Sequence, residues 1–373
     1  MKAFIHQKDN WPKFTWNSNE FLNLLSEARN LQGRLIGKME TLGFELRNEA
    51  LLDTLTLDVI KSSEIEGEFL NPDQVRSSIA RRLGMEIAGA VEFDRNVEGV
   101  VEMMLDATQK CFDPLTAERL FDWHAALFPT GRSGMYKIKV ADWRKDTTGP
   151  MQVVSGAMGK EKVHFQAPDS DLVEREIIRF IDWFNNSKID LVIKAAIAHL
   201  WFVTIHPFED GNGRITRALT DMLLAQSDKS NQRFYSMSAQ IRIERKQYYE
   251  ILEQTQKGNL DITDWIVWFL NCLINALKST DSVLTRVLFK AEFWQKHVDT
   301  AINDRQRKLL NKLMDGFEGK LTSSKWAKIA KCSKDSAVRD INDLIEKGIL
   351  QKEAAGGRST NYEMTGLPAG NTQ

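Results

Sequence analysis

The fifteen residues Leu191–Ile205 contain a single Asp, Glu, Lys or Arg side chain, Lys194. Wound as a helix, the segment is apolar on nearly every side, so it has no solvent face and must be enclosed by other elements. It falls short of the ~18 apolar residues that a bilayer span needs. The enclosure is therefore protein, and a shell of amphipathic helices is the simplest way to build it.

The rest of the chain supplies such helices. Phe21, Leu24, Leu25, Ala28, Leu31 and Leu35 recur at helical spacing over 18–41, with Asn19-Glu20 in a cap region. A second helix over 49–63 places Leu52, Leu55, Val59 and Ile60 on one side and stops at Gly67. Asn71-Pro72-Asp73 opens a third with proline in its first turn. Further helices are expected over 91–110, 115–127, 172–185, 215–225, 243–256 and 262–277, and Trp11 and Trp16 anchor an N-terminal arm.

One stretch breaks the pattern. Met151-Gln152-Val153-Val154-Ser155 and Lys162-Val163-His164-Phe165 flank Gly156-Ala157-Met158-Gly159, which predicts a β-hairpin. A lone hairpin is marginal by itself, so it is expected to lie as a flap on the helical body. Beyond 279, helices over 305–314, 323–330 and 334–347 precede a glycine-rich tip at 356–362, the order of a winged helix-turn-helix. From 301 onward 13 Lys/Arg face 9 Asp/Glu, a modest surplus for a DNA reader. The expected fold class is mainly α.

The whole chain of 373 residues has net charge −1, so it is no general polyanion binder. Cys111, Cys272 and Cys332 are far apart and lack metal-site spacing, which points to a reducing compartment. With no apolar signal region at the N-terminus, a cytoplasmic location and no membrane contact are expected.

The apolar helix delivers its end to His206-Pro207-Phe208-Glu209-Asp210-Gly211-Asn212-Gly213-Arg214-Ile215-Thr216-Arg217. His206 precedes proline, which pushes it toward extended geometry, and histidine suits proton acceptance near neutral pH. Gly211-Asn212-Gly213 before a helix makes an anion nest. Arg214 and Arg217, three apart, share a helix face, and two adjacent guanidiniums suit a polyphosphate. Asp210 is placed to offer an oxygen to a hard cation. Phe208 reads as core, and so does His199 within the apolar run.

This cluster resembles the Fic family pattern H-P-F-x-[D/E]-G-N-G-R-x-x-R and matches it at every fixed position. The hairpin resembles the family's target-docking flap, and the whole resembles Fic chains with an N-terminal helical extension and a C-terminal winged helix. The implied domains are 1–112, 113–285 and 286–373. The resemblance implies transfer of AMP from ATP, with Mg2+, to a Ser, Thr or Tyr hydroxyl of a target protein and of the chain itself. His206 would be the base, Asp210 the Mg2+ ligand, and Gly211, Asn212, Gly213 and Arg214 the phosphate cradle, with Arg217 on the γ-phosphate. Val153, Val154, Ser155 and Gly156 would align the target. Tyr248 and Gln256 either border the nucleotide base or simply pack a helix.

Ser62-Ser63-Glu64-Ile65-Glu66-Gly67 matches the family's inhibitory pattern [S/T]-x-x-x-E-[G/N] at Ser62, Glu66 and Gly67. Glu66 would pair bidentately with Arg217 and deny it to ATP; positioning a water to remove AMP is a second expected role. Two other readings fit the sequence. One is a DNA-binding regulator with a nucleotide-sensing core, read from Lys334-Asp335-Ser336-Ala337-Val338-Arg339, although Asp335, Asp340 and Asp343 in that helix count against it. The other keeps the fold but uses UTP or another pyrophosphate-containing donor. A homodimer is a further partner compatible with the sequence.

Overall fold

A computed structural model describes residues 4–366 except 88–89, 147–148, 157–161, 315–316, 318 and 354–359. The expected flap turn at 157–159 and wing tip at 356–359 thus lie outside the described residues. The chain divides into two compact units, Met1–Thr280 and Asp281–Gln373.

In the first unit, a 3-10 turn at Ser18–Glu20, capped by Asn17, precedes α1 (Leu22–Glu40). That cap explains why α1 starts after the expected residue 18. α2 (Phe44–Ile65) starts ahead of the expected residue 49, with Gly43 as its N-cap. Its end is a Schellman turn: Gly67 takes φ +84°, its amide donates to Glu64 O, and the Glu68 amide donates to Ser63 O. α3 (Pro72–Arg82) is capped by Asn71, α4 (Arg95–Gln109) by Asp94 and α5 (Ala117–Leu127) by Thr116.

Two small antiparallel ribbons follow. β1 (Arg132–Ser133) pairs with β2 (Tyr136–Lys137), and β3 (Gln152–Ser155) pairs with β4 (Lys162–Gln166). The second ribbon is the expected flap. Its register passes from Val153↔Phe165 to Val154↔Val163, which leaves His164 as the extra residue of a bulge. Phe165 is buried edge-on against Phe4 and His6, and His6 Nε2 bonds Gln166 O at 2.8 Å, so the N-terminal arm ties the flap down.

α6 (Ser170–Asn186) leads to α7 (Leu191–Ile205), the apolar run, capped by Asp190. Every α7 residue from Val192 to Ile205 is buried. α8 (Asn212–Asp228) packs along it, Phe180 of α6 meets Phe202 at 5.5 Å, and α11 (Thr263–Lys296) reaches it through Trp265, whose Nε1 donates to Ala196 O at 2.8 Å. The one charge in the run is accommodated: Lys194 Nζ donates to Ser187 O and lies over the Trp183 and Phe184 rings. Where one helix is expected over 243–256, the chain forms α9 (Met237–Ile243) and α10 (Arg245–Lys257), broken at Glu244.

The second unit contains α12 (Asp304–Met314), α13 (Ser323–Ala330), α14 (Lys334–Glu346), β5 (Leu350–Lys352) and β6 (Tyr362–Met364). Leu309, Leu310, Trp326, Ile341, Leu344 and Met364 form its core. The left-handed Lys331 turns the chain between α13 and α14, and Ser333 caps α14. Two of the aspartates that counted against DNA contact are neutralised internally. Asp340 is buried and paired with Arg305, while Asp343 pairs with Lys347 and accepts from Gln306.

Candidate active site

The end of α7 sets the site. His206 adopts the left-handed conformation (φ 52°, ψ 58°), not the extended one expected before proline. A following proline disfavours right-handed helical geometry at this residue, and the left-handed turn both ends α7 and reverses the chain. Arg144 holds the turn: its Nε donates to His206 O at 2.7 Å and its amide donates to Pro207 O. The buried guanidinium also serves Pro168 O and pairs with Asp146. Nothing in the local sequence marks Arg144 for this task.

The His206 ring is half-buried. Its Nδ1 lies 3.2 Å from Val203 O, and a carbonyl only accepts, so Nδ1 carries the proton and Nε2 the lone pair. Burial lowers its pKa below the ordinary 6.5, and the Arg144 charge adds to this, which keeps the ring neutral. His199 behaves as a core residue. Thr220 Oγ1 donates to Thr216 O, so it accepts from His199 Nδ1, and Nε2 accepts from the Tyr248 hydroxyl at 3.0 Å. Desolvation pushes His199 down to about 3.

After the turn, Phe208 is fully buried and stacks on His124 at 4.1 Å. Ala141 N donates to His124 Nδ1, so His124 Nε2 donates to Asp210 O. Asn212 acts on the loop through its side chain. Its side chain accepts from Phe208 N and donates to Phe208 O, both at 2.9 Å, so it locks the loop and leaves only its backbone for a ligand. Gly211, left-handed at φ 81°, is the N-cap of α8, which begins at Asn212. Among the described residues no side chain caps that end, which leaves its first amides for a ligand. Asp210 accepts from the Gly211 amide and from the Ser133 hydroxyl.

Both arginines have acidic partners that the sequence neighbourhood does not reveal. Arg217 is 2% exposed. Its Nε and Nη2 donate to Ser62 Oγ and Ser62 O, both at 2.8 Å, and its Nη1 pairs with Glu66 Oε1 at 2.9 Å. The expected two-pronged Glu66 contact is thus replaced by a fork divided between Ser62 and Glu66. The Glu66 carboxylate also lies on Gly213: a Cβ there would collide with Oε1 and stand 2.9 Å from Cδ. Arg214 Nη1 pairs with Glu68 Oε2 at 2.6 Å.

His206, Glu66 and Gly213 open into a cavity of about 850 Å³, whose walls include Val153, Val154 and Ser155 of the flap and Tyr248 and Gln256 of α10. Arg217 is buried behind Glu66, and Asp210, Gly211, Asn212, Arg214 and Gly156 are also outside the lining. Tyr248 contributes its ring, since its hydroxyl is spent on His199, and Gln256 donates to Thr204 Oγ1. Three cations missed by the sequence reading, Arg242, Arg245 and Lys246, also line the cavity. The run Arg242-Ile243-Glu244-Arg245-Lys246 was the available signal. Across the mouth, Ser155 Oγ bonds His164 Nε2, and His164 Nδ1 meets Glu253 Oε2, each at 2.6 Å, which ties the flap to α10.

The Fic/DOC family model matches residues 114–224, and a domain of unknown function (DUF4172) matches residues 4–85. A probable protein adenylyltransferase of Aquifex aeolicus is 32% identical over 101 residues, 27% of this chain and 29% of that protein. Protein adenylyltransferase Fic of Drosophila willistoni is 35% identical over 97 residues, 25% of this chain and 18% of that protein. The chain thus spans less than a third of the length of either relative. A Fic family protein of Desulfovibrio desulfuricans shares the fold, with TM-score 0.55 and 21% identity over 96% of this chain and 99% of that one. No described helix is long and apolar enough to cross a membrane. With the histidine turn, the glycine-bound helix end and the paired arginines on one loop, residues 114–224 are a Fic/DOC-family domain.

Proposed function

We propose that this chain is a protein adenylyltransferase whose activity is held down by Glu66. The observation that carries the reading is the pairing of opposites in one cavity. His206 has its basic nitrogen available, while the carboxylate of Glu66 sits on Gly213 and Arg217, where a nucleotide's terminal phosphate would go.

In the reaction, a Ser, Thr or Tyr hydroxyl of a target protein loses its proton to His206 Nε2 and attacks the α-phosphorus of ATP. The new O–P bond forms as the bond to the bridging oxygen breaks, and pyrophosphate leaves opposite the nucleophile. The protein supplies mainly position and charge. The uncapped start of α8 and Arg214 cradle the phosphates, and Arg217 takes the γ-phosphate once Glu66 withdraws. Val153, Val154 and Val163 are exposed on the flap and give an extended target segment an edge to join.

The donor set suits Mg2+. A single aspartate, Asp210, beside a phosphate-binding loop is what this cation takes from protein when phosphates and water complete its octahedron. No group of three or more ligating side chains that could cage a metal occurs among the described residues. Bound there, Mg2+ would neutralise charge on the leaving phosphates.

The test is AMP incorporation from ATP labelled at the α-phosphate, with wild type, Glu66→Gly and His206→Ala. Glu66→Gly is expected to label itself and targets strongly and His206→Ala not at all. Labelling that survives His206→Ala in the Glu66→Gly background removes the assignment of the base.

A further inference from the structure

The inhibitory pattern in the sequence stops at Gly67, but the contacts do not. We propose that Glu68 is a second anionic occupant of the phosphate loop, holding Arg214 as Glu66 holds Arg217. The two carboxylates then stand in for two different phosphates of one nucleotide. The inference builds on the reading of the loop as a nucleotide-phosphate site given above.

The Schellman turn places both groups. Gly67 at φ +84° reverses the chain, and the amides of Glu66 and Glu68 both donate to Ser63 O, at 3.1 and 3.0 Å. Two carboxylates two residues apart are thereby presented from one rigid turn to two arginines three residues apart on α8. Arg214 is 3% exposed, and its guanidinium lies 5.0 Å from the centre of the Phe128 ring. Its Nε is buried without a partner among the described residues. Glu68, 45% exposed, therefore satisfies only part of that guanidinium, and a phosphate with three oxygens can satisfy more of it.

The roles differ by phosphate. Arg217 serves the terminal phosphate of ATP, which ADP lacks. Arg214 serves the inner phosphates, which both nucleotides carry. Glu66 therefore weakens ATP binding alone, whereas Glu68 weakens ATP and ADP alike.

Dissociation constants for ADP and ATP, measured calorimetrically with Mg2+ on the full chain, test this. The proteins are wild type, Glu68→Gln, Glu68→Ala, Glu66→Gln and Glu45→Gln, the last changing an exposed glutamate in the first turn of α2. Both Glu68 variants are expected to bind ADP and ATP about fivefold tighter, the scale of a half-exposed ion pair. Glu66→Gln should tighten ATP and leave ADP unchanged, and Glu45→Gln should change neither. Unchanged ADP affinity in both Glu68 variants overturns the proposal. So does an equal gain from Glu45→Gln, which would make the effect one of net charge, or failure of all five proteins to bind ADP. If Glu68→Gln tightens ADP while Glu66→Gly transfers no AMP, the Glu68 assignment stands and the transferase reading fails.

Discussion

Replacing Glu66 by glycine removes the carboxylate that competes for Arg217, and the structure bounds the effect. Arg217 is 2% exposed and Glu66 32%, so the contact is sheltered on one side and wet on the other. A hydrogen bond between charged groups contributes about 1.5–3 kcal/mol, and the wet side places this one near the lower end. At ~1.4 kcal/mol per tenfold, the contact favours the closed arrangement by a factor of about 10–30. Arg217 keeps its two bonds to Ser62 in the variant, so the freed Nη1 stays aimed at the loop. The initial rate of AMP incorporation at low ATP should therefore rise about 10–30-fold, shared between tighter ATP binding and a higher kcat, because the contact both withholds a ligand of the terminal phosphate and disturbs phosphate alignment. Glu66→Gln, which keeps the bulk over Gly213 but loses the charge, should fall between wild type and Glu66→Gly. If kcat/KM of Glu66→Gly stays within about twofold of wild type, or the gain lies wholly in KM, the competition argument is wrong.

Other outcomes follow from the same geometry. His206 is held neutral by a pKa lowered from 6.5, so its basic form persists below that pH and is lost only as pH falls through the lowered value. The acid limb of the kcat/KM profile of Glu66→Gly should lie below 6.5, and a limb at or above it would count against His206 as the base. Arg144→Met leaves Asp146 unpaired and His206 O without its donor, which should cost about 3 kcal/mol and lower the melting temperature of the first unit. A melting temperature equal to wild type would show that the turn needs no such support. Val154→Lys puts a charge on the exposed flap face and should cut target labelling about tenfold with unchanged ATP affinity. A matching loss of ATP affinity would place Val154 on the nucleotide instead.

Much of this architecture is legible in the sequence. The unbroken apolar face of 191–205 required a helical shell, and α7 is buried from Val192 onward. Asn71 and Pro72 marked a helix start and Gly67 a helix stop because capping depends on atoms within one turn. The alternation around 151–165 marked the flap for the same local reason. Motif and flap were each readable because each keeps its chemistry within a few residues, while their joining in one site was implied by the family resemblance.

What the linear pattern could not reach lies in pairings made by packing. Ser62 and Arg217 are 155 residues apart and Glu68 and Arg214 146, so whether an arginine is free or occupied depends on how α2 docks beside α8. Local preference pointed His206 toward extended backbone, but the reversal at the end of α7 and the Arg144 bonds hold it left-handed. Asn212 sits among phosphate-binding residues in sequence, yet its amide closes on Phe208 because the loop is tight enough for the two to meet. Composition and spacing by themselves determine which groups the chain possesses and which helix faces carry them. Which groups meet, and which are left for a ligand, is decided by tertiary packing, since burial removes the water that would otherwise serve as every charge's partner.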